Sequence, residues 1–91
     1  MRFEWDEDKR LANIRKHGID FVDVPEIFTR DTVTFIDDRV ESDETRYLTL
    51  GLLKSRVILV VHTESDETVR IISARKATRY EETSYFEKFQ D

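Results

Sequence analysis

Residues 46–75 read RYLTLGLLKSRVILVVHTESDETVRIISAR. Apolar and polar positions alternate with a period of two, and β-branched residues dominate, so the segment predicts three strands. Their bounds are Arg46–Leu53, Arg56–Glu64 and Thr68–Arg75, joined by the two-residue turns Lys54-Ser55 and Ser65-Asp66. Such turns set Leu53 opposite Arg56, Leu48 opposite Val61, Tyr47 opposite His62, and Val61 opposite Arg70. One face then carries Leu48, Leu50, Leu52, Val57, Leu59, Val61, Ile72 and Ala74, with Arg46 and Arg70 at its end. This is the expected core face, covered by N-terminal helices. The opposite face carries Tyr47, Thr49, Gly51, Ile58, Val60, His62, Val69, Ile71 and Ser73, together with Arg56 and Arg75. It is too apolar for bare surface, so the terminal helix or a partner must cover it. Neither turn has Asn-Gly chemistry, and a one-residue slip would exchange the faces of a strand.

Upstream, Thr32–Ile36 predicts a fourth strand, followed by a charged loop at Asp37–Glu44. Asp6 and Gly18 bracket a helix that ends near His17, with Glu7 and Asp8 in its first turn. Asp20 caps a second short helix that places Phe21, Val24, Ile27 and Phe28 on one face. Pro25 cannot donate a backbone bond there, which predicts a kink or a tightened final turn. Arg2–Glu4 leaves room for a short fifth strand. Downstream, Thr78-x-x-Glu81 is a capping box that opens a helix with Tyr85, Phe86 and Phe89 on one face. The expected fold is α+β: two N-terminal helices on a mostly antiparallel sheet of four strands, plus a C-terminal helix, in one domain over 1–91.

Composition narrows the functional classes. The 91 residues include no cysteine, which excludes disulfide scaffolds and thiolate metal sites and fits a reducing, cytoplasmic setting. No apolar run approaches the roughly 20 residues of a membrane span. The net charge of −5 weighs against a nucleic-acid partner, but the charge is segregated. Residues 1–45 hold 7 Lys/Arg against 13 Asp/Glu, a net of −6, whereas residues 46–91 hold 8 against 7, a net of +1. Arg70, Arg75, Lys76 and Arg79 fall in an eleven-residue run, 70–80, that contains no acid. Such a run is either a solvated edge or an anion site.

Several chemistries have no residues to carry them. Gly18 and Gly51 are the only glycines, so there is no Gly-rich phosphate loop. His17 and His62 outline no zinc motif, and neither a metal nor a cofactor is expected. The remaining Arg, Lys and His residues suit cleavage of RNA by its own 2′-OH, which needs cations for the developing phosphorane and groups to move protons. Each also has a structural explanation. Lys16 and His17 complement the dipole of a helix C-terminus, His62 can be a satisfied core histidine, and Arg46 and Arg70 can pair with the acidic loop. Arg75 and Arg79 can simply flank the start of the last helix.

The opening FEWDEDKRLANIRKHGIDF, the central RYLTLG, the strand VVHTE and the segment RIISARKATRYE together resemble the BrnT family of type II toxin–antitoxin toxins, in that order and over nearly the whole chain. The resemblance implies a RelE-like fold and metal-independent RNA cleavage that arrests growth. It also implies neutralisation by a BrnA-like antitoxin, through which alone the complex would touch DNA. Carried over by position, the catalytic set is Lys16, His17, Arg46, His62, Arg70 and Arg75, and the acid-free basic run adds Lys76 and Arg79 as RNA-binding residues. Pro25 departs from the helix-forming stretch usual in the family. The alternative is a non-catalytic binding module that acts only within its complex, for which Tyr85, Phe86 and Phe89 would form the partner surface.

Overall fold

The computed structural model describes residues 1–39 and 43–89. Its elements are β1 (Arg2–Trp5), α1 (Glu7–His17), a 3₁₀ helix (Phe21–Thr29), β2 (Val33–Asp37), β3 (Arg46–Leu53), β4 (Arg56–Ser65), β5 (Thr68–Lys76) and α2 (Arg79–Lys88). The five strands form one mixed sheet in the order β1-β5-β4-β3-β2. β1 runs parallel to β5, and every other pair is antiparallel. The fold is therefore α+β, and the fifth strand that Arg2–Glu4 left room for is present. Part of the charged loop expected at Asp37–Glu44, residues 40–42, lies outside the described residues.

α1 is defined by its ends more than by its faces. The Asp6 carboxylate accepts from the backbone N–H of Asp8 at 2.8 Å and of Lys9 at 3.2 Å. Gly18, at φ 71°, closes the helix by donating to the Ile14 carbonyl, a left-handed position that glycine occupies without steric cost. Asn13 is the one buried residue of α1. Its amide donates to the carbonyls of Ile19 and Ala74 at 2.9 Å each, and it accepts from the Ala74 N–H at 3.1 Å. β1 stops at Trp5, opposite Ile71, so the rest of β5 has no strand neighbour on that side. The Asn13 side chain takes the place of one, satisfying both backbone groups of Ala74.

The second helix is 3₁₀ throughout, where a kink or one tightened turn was expected. Pro25 sits in its middle and lacks the N–H that an α-helical bond to Phe21 would need. Winding at three residues per turn stacks Phe21, Val24 and Ile27 in one line, and all three are fully buried. The helix lies close on β3: a Cβ at Gly51 would come within 3.0 Å of the Ile27 side chain.

The first hairpin matches the sequence register, with Leu53 opposite Arg56 and Tyr47 opposite His62. The second does not. Its turn is Asp66-Glu67, so Ser65 pairs with Thr68 and Arg70 with Thr63, not with Val61. Further along, the ladder shifts between Val61 and His62: His62 pairs with Ile71, but Val61 pairs with Ser73. Ile72 is the extra residue of a β-bulge.

The two faces also exchange covers. α1 and the 3₁₀ helix pack on Ile58, Val60, Val69 and Ile71, the face expected to lie under the terminal helix or a partner, and the bulge brings Ala74 onto this face opposite Val60. Leu50, Val57 and Leu59, expected beneath the N-terminal helices, instead meet Ala77 and Tyr85 at the other end of the chain. Both faces are comparably apolar in sequence, so hydrophobic pattern alone could not rank them.

Neither hairpin turn uses glycine. Lys54 has φ 61°, and Asp66 and Glu67 have φ 46° and 64°. Left-handed backbone costs a residue with a Cβ roughly 1–2 kcal/mol, part of which glycine returns as unfolded-state entropy. Glu67→Gly is thus expected to stabilise the protein by about 0.5–1 kcal/mol, a gain of a few degrees in Tm by thermal unfolding.

Candidate functional site

Arg70 and Arg75 are five residues apart on one strand, an odd spacing that regular alternation would send to opposite faces. The bulge at Ile72 cancels this. Arg70 stands opposite Thr63 and Arg75 opposite Leu59, and Thr63 and Leu59 point the same way from β4. Arg46 precedes Tyr47, the partner of His62, so it shares that face next to Thr63. The structure thus brings Arg46, Arg70 and Arg75 together, although the regular register separates Arg75 from the other two.

This face is covered only in part. α2 lies over the Leu50, Val57 and Leu59 end, while Phe35 on β2 is 48% exposed and Leu48 and Val61 are half-buried. Arg46 and Arg70 flank Thr63 on the two neighbouring strands, so their Cα atoms are two strand spacings, roughly 10 Å, apart. Arg75 lies four residues further along the sheet, roughly 13 Å away. The long guanidinium side chains of Arg46 and Arg70 can reach a common point between them, while Arg75 lies over the adjoining stretch of the face.

Carboxylates hold these cations in place. Arg70 Nη1 lies 3.3 Å from Glu4 Oε1. Arg75 donates to both Glu81 oxygens, at 2.8 and 3.0 Å. Glu81 is also the capping-box residue of α2, accepting from the Thr78 N–H at 2.8 Å. The Arg75 hydrogen bonds, above all, hold its carboxyl below the usual range. Asp37 is buried and accepts from Arg39 at 2.9 Å, which lowers its pKa, with a smaller contribution from the charge of Arg46. Arg39 in turn is near enough for its charge to act on Arg75 and Glu81. Sequence reasoning missed Arg39 and the pairing role of Glu81. It also missed Tyr80, which is 81% exposed in the first turn of α2 beside Arg79. Only the capping-box spacing pointed to Glu81.

Other members of the sequence-derived set lie elsewhere. His62 is on the opposite face, fully buried, between Tyr47 (ring centroids 5.7 Å apart) and Phe28 (5.4 Å). Its Nε2 is 2.7 Å from Thr49 Oγ1, which is itself 2.9 Å from Thr34 Oγ1. Nδ1 has no hydrogen-bond partner among the described residues, since the nearest carboxylate oxygen, of Glu64, is 3.6 Å away. Burial lowers the His62 pKa to about 4. Such a group is neutral at physiological pH and walled off from substrate. Lys16 and His17 project from the end of α1 beside the free edge of β5, near Ile72 and Ser73. Lys76 faces the helix-covered side, opposite Ile58. Tyr85 is not a surface aromatic: it is 3% exposed and donates to the Asp31 carbonyl at 2.9 Å. Phe86 and Phe89 remain partly exposed. Among the described residues no group of three or more His, Asp or Glu side chains is placed to hold a metal ion. Nor is any helix long and apolar enough to cross a membrane.

The His62 geometry has a pH consequence. The unfolded chain takes up a proton near pH 6.5, whereas the folded chain resists it until about pH 4. The His62 contribution is intact above about pH 6.5 and lost as the pH falls, by on the order of 3 kcal/mol at pH 4. Denaturant unfolding at stepped pH reads the loss, and the His62 ring NMR signals should stay unshifted from about pH 8 to about pH 5. Titration of those signals near pH 6.5 would contradict the buried placement.

A family model for the ribonuclease toxin BrnT of type II toxin–antitoxin systems matches residues 5–81. The chain belongs to the BrnT family. The match includes every cation of the open sheet face, from Arg39 to Arg75, and ends at Glu81, so Tyr85, Phe86 and Phe89 lie beyond it. No curated protein matches the chain. BrnT membership makes this a ribonuclease toxin of a type II system, with an antitoxin as its partner.

Proposed function

We propose that the chain is an endoribonuclease that cleaves RNA by attack of the 2′-OH on the adjacent phosphate, without a metal ion, on the open sheet face. The observation that carries this is the bulge that puts Arg70 and Arg75 on the same face as Arg46. Arg46 and Arg70 bracket the scissile phosphate and stabilise the charge that develops on its oxygens. Arg75, held by Glu81 and close to Arg39, binds the neighbouring phosphate. Leu48, Val61 and Phe35 offer apolar ground for bases, and the exposed ring of Tyr80 offers a stacking surface. Both histidines of the chain lie off this face, so the rate enhancement rests on charge stabilisation and not on a histidine acid–base pair. The O2′–P bond forms as the P–O5′ bond breaks, water takes the 2′-OH proton, and the leaving 5′-oxygen is protonated by water. His62 is a core residue in this scheme, and Lys16 and His17 act away from the reacting phosphate.

The arrangement of α1 and the 3₁₀ helix on one side and a partly open cationic sheet face on the other supports a RelE-like ribonuclease domain over 1–91. The partner we infer is a BrnA-like antitoxin acting in the cytoplasm, with contact to DNA only through it. Phe35, Tyr80, Phe86 and Phe89 are exposed aromatics available to such a partner. Incubating purified protein with RNA in EDTA tests the proposal. The expected result is cleavage with 2′,3′-cyclic phosphate ends, and absence of cleavage in EDTA refutes the metal-free mechanism. A protein that binds antitoxin but leaves RNA intact under all conditions would favour the non-catalytic alternative.

A further inference from the structure

A cavity of about 330 Å³ opens on the helix-covered face at the β3–β4 hairpin end of the sheet. Its walls come from the turn that leaves α1, the hairpin tip and the end of β5. Ile19, Leu53 and Ile58 supply apolar surface, and Lys54, Arg56 and Lys76 stand at its rim with His17. Arg56 and Ile58 project from the same side of β4, and Ile58 pairs with Lys76. Arg56 and Lys76 are therefore diagonal neighbours, roughly 7–8 Å apart.

The charges around this cavity are unbalanced. Lys54, Arg56 and Lys76 are exposed and form no ion pair among the described residues, although the chain holds 20 acids against 15 Lys and Arg. Of the two acids in the lining, Asp20 is already engaged by Arg10 and by the Val22 N–H, which leaves Asp23. Lys54 has φ 61° at the first turn position, where a primed hairpin turn favours glycine. The fold keeps a strained lysine at the rim of a cationic cavity, a kind of outlier that marks ligand sites.

We propose that this cavity is a second RNA subsite that takes one nucleotide of a single strand. Its phosphate lies among Lys54, Arg56 and Lys76, and its base or ribose lies against Ile19, Leu53 and Ile58. The volume falls in the range of small-molecule sites. The subsite is separate from the arginine face: Arg56 is seven residues from Thr63 along β4, roughly 23 Å, and faces the other way. Arg75 and Lys76, adjacent in the chain, point to the two sites in turn. The proposal rests on the ribonuclease reading above and extends it to how the strand is held away from the cut.

The test compares the wild type with a variant carrying Lys54→Gln, Arg56→Gln and Lys76→Gln. Each is titrated by fluorescence anisotropy at several salt concentrations with a 2′-O-methyl single-stranded RNA of about ten nucleotides, which its own 2′-OH cannot cleave. The variant should bind at least about tenfold more weakly at low salt, with the salt slope reduced by about two. Lys54→Gly suits the backbone of the turn and removes one cation, so it should lower the slope by about 0.7, separating lost charge from misfolding. AMP should displace the RNA from the wild type more effectively than inorganic phosphate does. Equal displacement by the two would overturn the nucleotide assignment. Unchanged RNA affinity and slope in the triple variant would overturn the subsite, as would a loss confined to antitoxin binding. Should the wild type cleave no RNA, the ribonuclease reading fails, while the binding comparison still decides the cavity.

Discussion

Arg70→Ala is expected to lower RNA cleavage at least 100-fold while leaving the protein folded. The side chain is about half exposed and its ion-pair partner Glu4 is exposed too, so removing it costs little stability. On the open face, however, it is one of two guanidinium groups within reach of the same phosphate. Loss of one positioned donor to a developing oxyanion generally costs 10²–10³-fold in turnover. Arg70→Lys should recover only part of the rate, because a lysine keeps the charge and loses the planar fork. Arg75→Ala should cost less in turnover and more in stability, since it also frees Glu81 at the α2 cap. Single-turnover cleavage with circular dichroism as the folding control separates these outcomes. Arg70→Ala cleaving within tenfold of the wild type would remove the open face from the mechanism.

Asn13→Ala is expected to cause the largest loss of stability of any single substitution in α1. Asn13 is 6% exposed, and its three hydrogen bonds serve the backbone of Ala74 and of Ile19. Truncation leaves a buried N–H and two carbonyls without their partner, at about 1–3 kcal/mol for each group that water cannot reach. The sum, about 3–9 kcal/mol, is a large share of the roughly 5–15 kcal/mol typical of a domain. Tm should fall by roughly 15 °C or more. Asn13→Asp should not rescue, because a carboxylate cannot donate to the Ala74 and Ile19 carbonyls. A loss under about 1 kcal/mol on urea unfolding would mean that water replaces the Asn13 amide at the β5 edge.

Much of the fold was legible where punctuation was chemical. Asp6, Gly18 and the Thr78–Glu81 box mark helix ends because their side chains or backbone angles satisfy orphan groups locally. The three central strands were legible from their alternation. The rest depended on information that no local pattern holds. A turn of Asp66-Glu67 shifts the β4–β5 register without a glycine to announce it, and the Ile72 bulge has no sequence mark at all. Since the proposed site draws on residues on both sides of that bulge, the face that carries Arg75 could not be read without it. Arg46 and Arg70 were placed together, and Arg75 was sent to the wrong face. His62 was grouped with the cations by chemistry, whereas its burial between Phe28 and Tyr47 depends on which face the 3₁₀ helix covers.

The parallel pairing of β1 with β5 also sets a timetable. Arg2 finds its strand partner at Thr68, and Asn13 finds Ala74. Contacts this distant in sequence fold slowly, because a long loop must close before they form. On a ribosome adding about 5–20 residues per second, roughly 3–13 s pass between the synthesis of Arg2 and that of Thr68. Through that interval the nascent chain has neither its completed sheet nor Arg70 and Arg75. If Arg70 and Arg75 carry the cleavage as proposed, a translation product cut short before β5 is expected to be inactive on RNA.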